Sequence, residues 1–155
     1  MTNIPAIYQG KLQTLDQIRI SPLSRAYTFS DSIYEVIPYF LGKPLCYKEH
    51  FDRMIQSSHL MGLDVDFDSV TKDIKKLAAT LNNQDGYVYY QISRGVDMVR
   101  SHIYQDDLEI ESFGYAMPAS FPTSALSAML CNDERWGRCD IKSTSLLGNV
   151  LAMNK

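Results

Sequence analysis

Residues 48–95 read KEHFDRMIQSSHLMGLDVDFDSVTKDIKKLAATLNNQDGYVYYQISRG, and within them the hydrophobic period changes once, from helical to extended. Phe51, Met54, Ile55 and Ser58 fall at i, i+3, i+4 and i+7, which predicts a helix over 48–61 that Gly62 ends. Asp66 or Asp68 is placed to cap a second helix. Its stripe of Val70, Ile74, Leu77, Ala78 and Leu81 is the cleanest amphipathic pattern in the chain, and Asn82-Asn83 closes it. From Gly86 the period is two: Val88, Tyr90 and Ile92 alternate with Tyr87, Tyr89 and Gln91, as in a strand with one buried face.

Strand signals flank this block on both sides. Upstream, Ile7–Leu12 forms a short hairpin around Gln9-Gly10, and Ile18 and Ile20 alternate with charge before Ser21-Pro22. Ile33–Phe40 is a strand with Tyr34, Val36 and Pro38 on one face and Glu35, Ile37 and Tyr39 on the other. Pro38 cannot donate to a ladder, so that strand is an edge or is bulged there. Leu41–Pro44 is a turn, with a returning strand over Pro44–Tyr47. Downstream, Gly95–Arg100 is a loop, Leu108–Met117 a strand, and PASFP (118–122) a boundary, after which Ala125–Asn132 starts a new strand. Strands, two helices, then strands, joined by short connections, predict an α+β fold: an antiparallel sheet with two helices packed on it. The expected organisation is a small α+β domain over 1–120, followed over 121–155 by the first elements of a truncated second domain.

Composition narrows the function classes. At 155 residues, 45% hydrophobic and 21% charged, the chain can bury a core without staples. A net charge of −3 and a pI near 5.5 argue against nucleic acid or a polybasic membrane patch as partner. Cys46, Cys131 and Cys139 are odd in number and lack CxxC spacing, as expected of reduced thiols in the cytoplasm. The N-terminus has neither the basic nor the apolar region of a signal peptide, and no run reaches the ~18 apolar residues of a membrane span. His50, His59 and His102 have no metal-ligand spacing, so no metal site is expected.

Several residues could carry chemistry. In the closing stretch ERWGRCDIKSTSLLGNVLAMNK (134–155), Lys142 stands between two arginines, Arg135 and Arg138, and the hydroxyls of Ser143, Thr144 and Ser145. Read by itself it is a solvated lysine. A nucleophilic lysine needs desolvation or nearby cations, and Ile141, Leu146 and the two arginines permit such a setting. Arg53, one turn after His50, is either an exposed helix arginine offset by Glu49 or Asp52, or a planar fork for a phosphate. Arg94, Arg100 and His102 lie along a strand and its loop. Arg100 and His102 share one face if the backbone is extended, giving either a carboxylate trap or an edge blunted by charge. Tyr34 is core or catalytic on the same grounds.

Together these motifs resemble the class IV, fold-type IV pyridoxal-phosphate aminotransferases, closest to the D-amino-acid (D-alanine) aminotransferase branch. The similarity rests on YxFxDxxYEV (27–36), EHxDRxxxS (49–57), QISRG followed by RxH (91–102), and DxRWxRCDIKSxxLLxxVLA, recognisable over 132–152. The resemblance implies that Lys142 forms the Schiff base with pyridoxal 5′-phosphate and moves the Cα proton, and that Arg53 binds the 5′-phosphate. It also implies that Tyr34, Arg100 and His102 hold the substrate carboxylate, that an amino acid and a 2-oxo acid are the substrates, and that the protein is a homodimer. Aminodeoxychorismate lyase, branched-chain aminotransferase and a non-enzymatic dimerisation domain are the competing readings. The sequence departs from the family pattern where glycines are expected: Ala26, Ser30 and Ser32 stand there. The spacer before Arg100 is one residue longer than usual, and family members are about twice this length. A helix of about eleven residues from Ser145, below the ~12–15 that isolated helices need, fits a truncated domain. So does Gly148 within it, a residue suited to close packing on a partner. The chain by itself is therefore expected to bind cofactor weakly and not to transaminate.

Overall fold

A computed structural model describes residues 3–121, 123–125, 127–130, 132–133 and 135–154. Its strands are β1 (Pro5–Tyr8), β2 (Lys11–Thr14), β3 (Ser32–Phe40), β4 (Lys43–Pro44), β5 (Gly86–Ser93) and β6 (Glu111–Pro118). Its helices are α1 (Arg25–Phe29), α2 (Tyr47–Leu60), α3 (Phe67–Ala79) and α4 (Leu147–Met153). The strands form one antiparallel sheet in the order β2-β1-β6-β5-β3-β4. This is the mixed α+β architecture that the order of periods predicts.

The period-two residues decide which face is buried. Ile33 and Ile37 of β3 with Val88, Tyr90 and Ile92 of β5 meet Met54 of α2 and Val70, Ile74 and Leu77 of α3 in one core. Each such aliphatic side chain, fully buried, contributes about 1.5–3 kcal/mol. Gly114 of β6 lies opposite Tyr90, and a Cβ there would stand 2.7 Å from Tyr90 Cδ2 and 2.9 Å from Leu77 Cδ1. Its missing side chain is what lets α3 approach the sheet. The opposite face is aromatic: Tyr34 stacks on Tyr89 at 5.6 Å and Tyr89 on Tyr115 at 5.1 Å.

Pro38 falls where the strand rule requires. Its carbonyl accepts from Leu45 N at 2.9 Å, so its nitrogen also points outward, away from β5. Four expectations fail. Ile18 and Ile20 form no strand, because Leu15–Gln17 is a 3-10 turn that diverts the chain from the sheet. The returning strand is only β4, since Cys46 turns left-handed (φ 49°) and α2 starts at Tyr47. The segment before Glu111 is irregular rather than extended. Between 125 and 132 the described residues form no strand; Met129 and Leu130 are exposed, with no neighbouring ladder to join. Leu126 and Cys131 lie outside the described residues. Among the described residues no helix is long and apolar enough to cross a membrane.

Candidate active site around Lys142

Residues 141–144 lie as a short extended segment along the outer edge of β3. Tyr34 N donates to Lys142 O at 3.0 Å and Thr144 N to Ser32 O at 3.1 Å, with an antiparallel bridge between Ile33 and Ser143. Ile141 and Ser143 point into the core, which turns Lys142 toward the opposite side. Lys142 N donates to the Oγ of fully buried Ser57 on α2 at 3.1 Å, so both backbone polar groups of Lys142 are held. Its Nζ donates to Tyr34 Oη at 2.8 Å and stands 4.1 Å from the centroid of that ring. Lysine and tyrosine, 108 residues apart, therefore form one unit.

Arg53 projects from α2 toward the same place. Its Nε and Nη2 donate to Glu35 Oε1 and Oε2 at 2.6 and 2.7 Å, and His50 Nδ1 lies 2.7 Å from Oε2. Hydrogen bonding to Glu35 holds the guanidinium pKa above its already high ordinary value. The carboxylate is fully buried whereas the Arg53 side chain is 47% exposed. A cleft of about 200 Å³ is lined by Tyr34, Arg53, Trp136, Lys142 and Asn149 among others. An amine and a guanidinium thus line one cleft wall.

Other nominated residues are placed differently. Arg135 lines that cleft, but it and Arg138 are engaged by Asp133 and Asp140 in exposed pairs. Arg135 holds the Asp133 carboxyl at a pKa of about 2. Arg100 and His102 do come together, but on Phe29: the Arg100 Cζ is 4.9 Å and the His102 ring 5.4 Å from its centroid. Strand alternation is not the cause, because Ser101 N folds back to Val99 O at 2.9 Å. Neither residue lines the Lys142 cleft. Arg94 is not a free cation. It grips Asp31 through Nε and Nη2, at 2.9 and 3.2 Å, and the carbonyls of Met61 and Gly62.

The glycine replacements find local solutions. Ser30 takes the left-handed conformation (φ 53°) that ends α1, and the Ser32 Oγ lies 2.6 Å from Thr144 Oγ1, tying β3 to the lysine segment. Sequence reading missed Glu35. The signal was present: alternation puts this carboxylate on the buried face beside Ile37, and a buried carboxylate requires a cation. A larger open depression of about 970 Å³ between α3 and residues 104–112 holds none of these groups except Arg94. Among the described residues no three His, Cys, Asp or Glu side chains gather as a metal site.

Residues 32–155 match the family model described as amino-transferase class IV. The chain belongs to the class IV aminotransferase family. A D-alanine aminotransferase of Listeria innocua is 39% identical to this class IV chain over 139 residues, 84% of this chain and 48% of that protein. The chain spans about half the length of the relatives it matches. The fold is similar to that of the branched-chain amino acid aminotransferase of Escherichia coli, with a TM-score of 0.69 at 15% identity over 80% of this chain and 42% of that one. It is also similar to that of the T.th. branched-chain amino acid aminotransferase complexed with N-(5′-phosphopyridoxyl)-L-glutamate (TM-score 0.66, 18% identity, 77% and 42% of the two chains). Class IV aminotransferases depend on pyridoxal phosphate.

Proposed function

We propose that this chain carries the lysine-bearing part of a pyridoxal 5′-phosphate-dependent aminotransferase acting between a D-amino acid such as D-alanine and a 2-oxo acid. The observation that carries the reading is the convergence of Lys142 Nζ, Tyr34 Oη and the open edge of Arg53 on one cleft. The bound cofactor would supply the electron sink for the negative charge left at Cα when its proton departs. Arg53 binds the 5′-phosphate through the donors that Glu35 leaves free. Lys142 is the base: its backbone is held by Ser57 and Tyr34, so only its flexible stem moves and its amine can carry a proton to and from Cα. Tyr34 orients that amine through the 2.8 Å hydrogen bond. Arg100 and His102, gathered on Phe29, are assigned to the substrate carboxylate. Their distance from the Lys142 cleft in one chain makes that role a property of the assembled protein, for which we propose a homodimer. The D-amino-acid preference rests on the 39% identity to a D-alanine aminotransferase.

The test is a coupled assay on the whole protein that contains this chain, with D-alanine and 2-oxoglutarate. Pyruvate and D-glutamate should form together, and Lys142→Ala should abolish both. Pyruvate released from 4-amino-4-deoxychorismate with no amino acceptor would make the protein a lyase of the same fold instead. The 155-residue chain by itself should take up the cofactor weakly and not transaminate. A stable visible absorbance on adding cofactor, lost in Lys142→Ala, would contradict the weak uptake.

A further inference from the structure

We infer that Glu35 is the positioning residue of the anion site: it fixes the plane of the Arg53 guanidinium so that its remaining donors face the Lys142 cleft. The inference rests on the reading of Arg53 as the phosphate ligand. Glu35 lies on the core face of β3 between Ile33 and Ile37 and is fully buried, so its carboxylate requires partners. Arg53 satisfies it side-on, spending Nε and one Nη2 hydrogen at 2.6 and 2.7 Å. Nη2 also lies 3.3 Å from His50 Nδ1, which leaves the two Nη1 donors of the guanidinium without a hydrogen-bond partner among the described residues. Oε2 also lies 2.7 Å from His50 Nδ1, one turn earlier on α2, so the carboxylate cannot swing without losing a second partner. A helix-surface arginine ordinarily samples many rotamers; this one is clamped at its base and 47% exposed at its side chain. The clamp reduces the ordering that a phosphate would otherwise have to impose. Arg53 lines the same cleft as Lys142 while its Glu35 partner is fully buried, so the pair has one member at the cleft and one in the core.

Charge by itself predicts the opposite result: the negative Glu35 subtracts from the field of Arg53, so neutralising it would strengthen anion binding. The two accounts are separated by titrating the whole protein that contains this chain, freed of cofactor, calorimetrically with pyridoxal 5′-phosphate and with pyridoxal, which lacks the phosphate. Glu35→Gln and Glu35→Asp should each weaken pyridoxal 5′-phosphate by about tenfold, the scale of one lost charge-assisted hydrogen bond. Pyridoxal affinity should stay within about twofold, which also shows that the variants fold. Arg53→Lys keeps the charge on an exposed side chain but cannot form the side-on pair, and should show the same selective loss. Tighter phosphate-ligand binding in Glu35→Gln, or an equal loss for both ligands, would overturn the inference. Arg53→Ala tells the two failures apart. If Arg53→Ala leaves the preference for the phosphorylated ligand intact, the phosphate-ligand reading falls and the inference with it. If Arg53→Ala removes that preference while both Glu35 variants keep it, only the positioning role is overturned.

Discussion

Asp31 accepts from two buried arginines at once: Arg25 Nε at 2.8 Å and Arg94 Nε at 2.9 Å, with side chains 4% and 9% exposed. The arrangement joins α1, the start of β3 and the end of β5, so it supports the strand edge on which Lys142 is laid. Asp31→Asn would leave buried Arg94 without a carboxylate and Arg25 with only Asp97, 3.4 Å from its Nη1, and we expect a loss of about 3 kcal/mol in urea unfolding. A change below about 0.5 kcal/mol, the scatter of ordinary surface substitutions, would show that Asp97 and the carbonyls of Met61, Gly62 and Ser101 suffice. Lys142, Arg53 and Tyr34 line one cleft; residue type by itself left each with an ordinary reading, and only the motif resemblance grouped them. Asp31 and Glu35 were not legible as partners, because a carboxylate in a motif does not name the cation that will reach it across 18 or 63 residues. Arg94 is a parallel case, since its partner Asp31 is likewise invisible in one dimension.

The helices followed from local chemistry. Asp66 caps α3 by accepting from Asp68 N and Ser69 N at 3.0 and 3.2 Å. The Ser69 side-chain hydrogen bond, then the backbone ones, lower its pKa below the ordinary 3.8. The folded state therefore binds the carboxylate form better. The cap stabilises above pH 3.8 and is lost as pH falls through the lowered folded value. Asp66→Ala should lower Tm by about 2–4 °C at pH 7, a difference that vanishes at strongly acidic pH. A gap that persists there would mean that the cap acts through shape rather than charge. Caps and a 3.6 period are properties of a few successive residues, so α2 and α3 emerge within a residue or two of their expected bounds. Alternation is a weaker guide. It predicted β3 and β5, but it also predicted strands at 18–20 and 125–132. A strand exists only where a neighbour offers its ladder, and the neighbour is chosen by the rest of the chain.

Among the described residues α4 leaves Leu147, Val150, Leu151 and Met153 exposed, the loop before β6 leaves Met98, Val99 and Ile103 exposed, and the aromatic face around Tyr34, Tyr89 and Tyr115 is half-buried. Patches of this kind mark contact surfaces. Sedimentation velocity across a hundredfold range of concentration should show reversible association of the chain, with Leu147→Lys/Leu151→Lys on α4 shifting it toward monomer. A single monomeric boundary at every concentration would count against a homodimer built through these surfaces.

The sequence by itself determined the α+β class, the two central helices and the alternation of β3 and β5, which depend on period and capping; it was the motif resemblance, not residue type, that singled out Lys142. Only the tertiary structure decided that residues 141–144 join the free edge of β3, that Tyr34 holds Lys142 Nζ, and that Glu35 clamps Arg53. Each of these contacts links groups far apart in the chain, and which carboxylate, hydroxyl or strand edge becomes the partner is settled only when the sheet has closed its register.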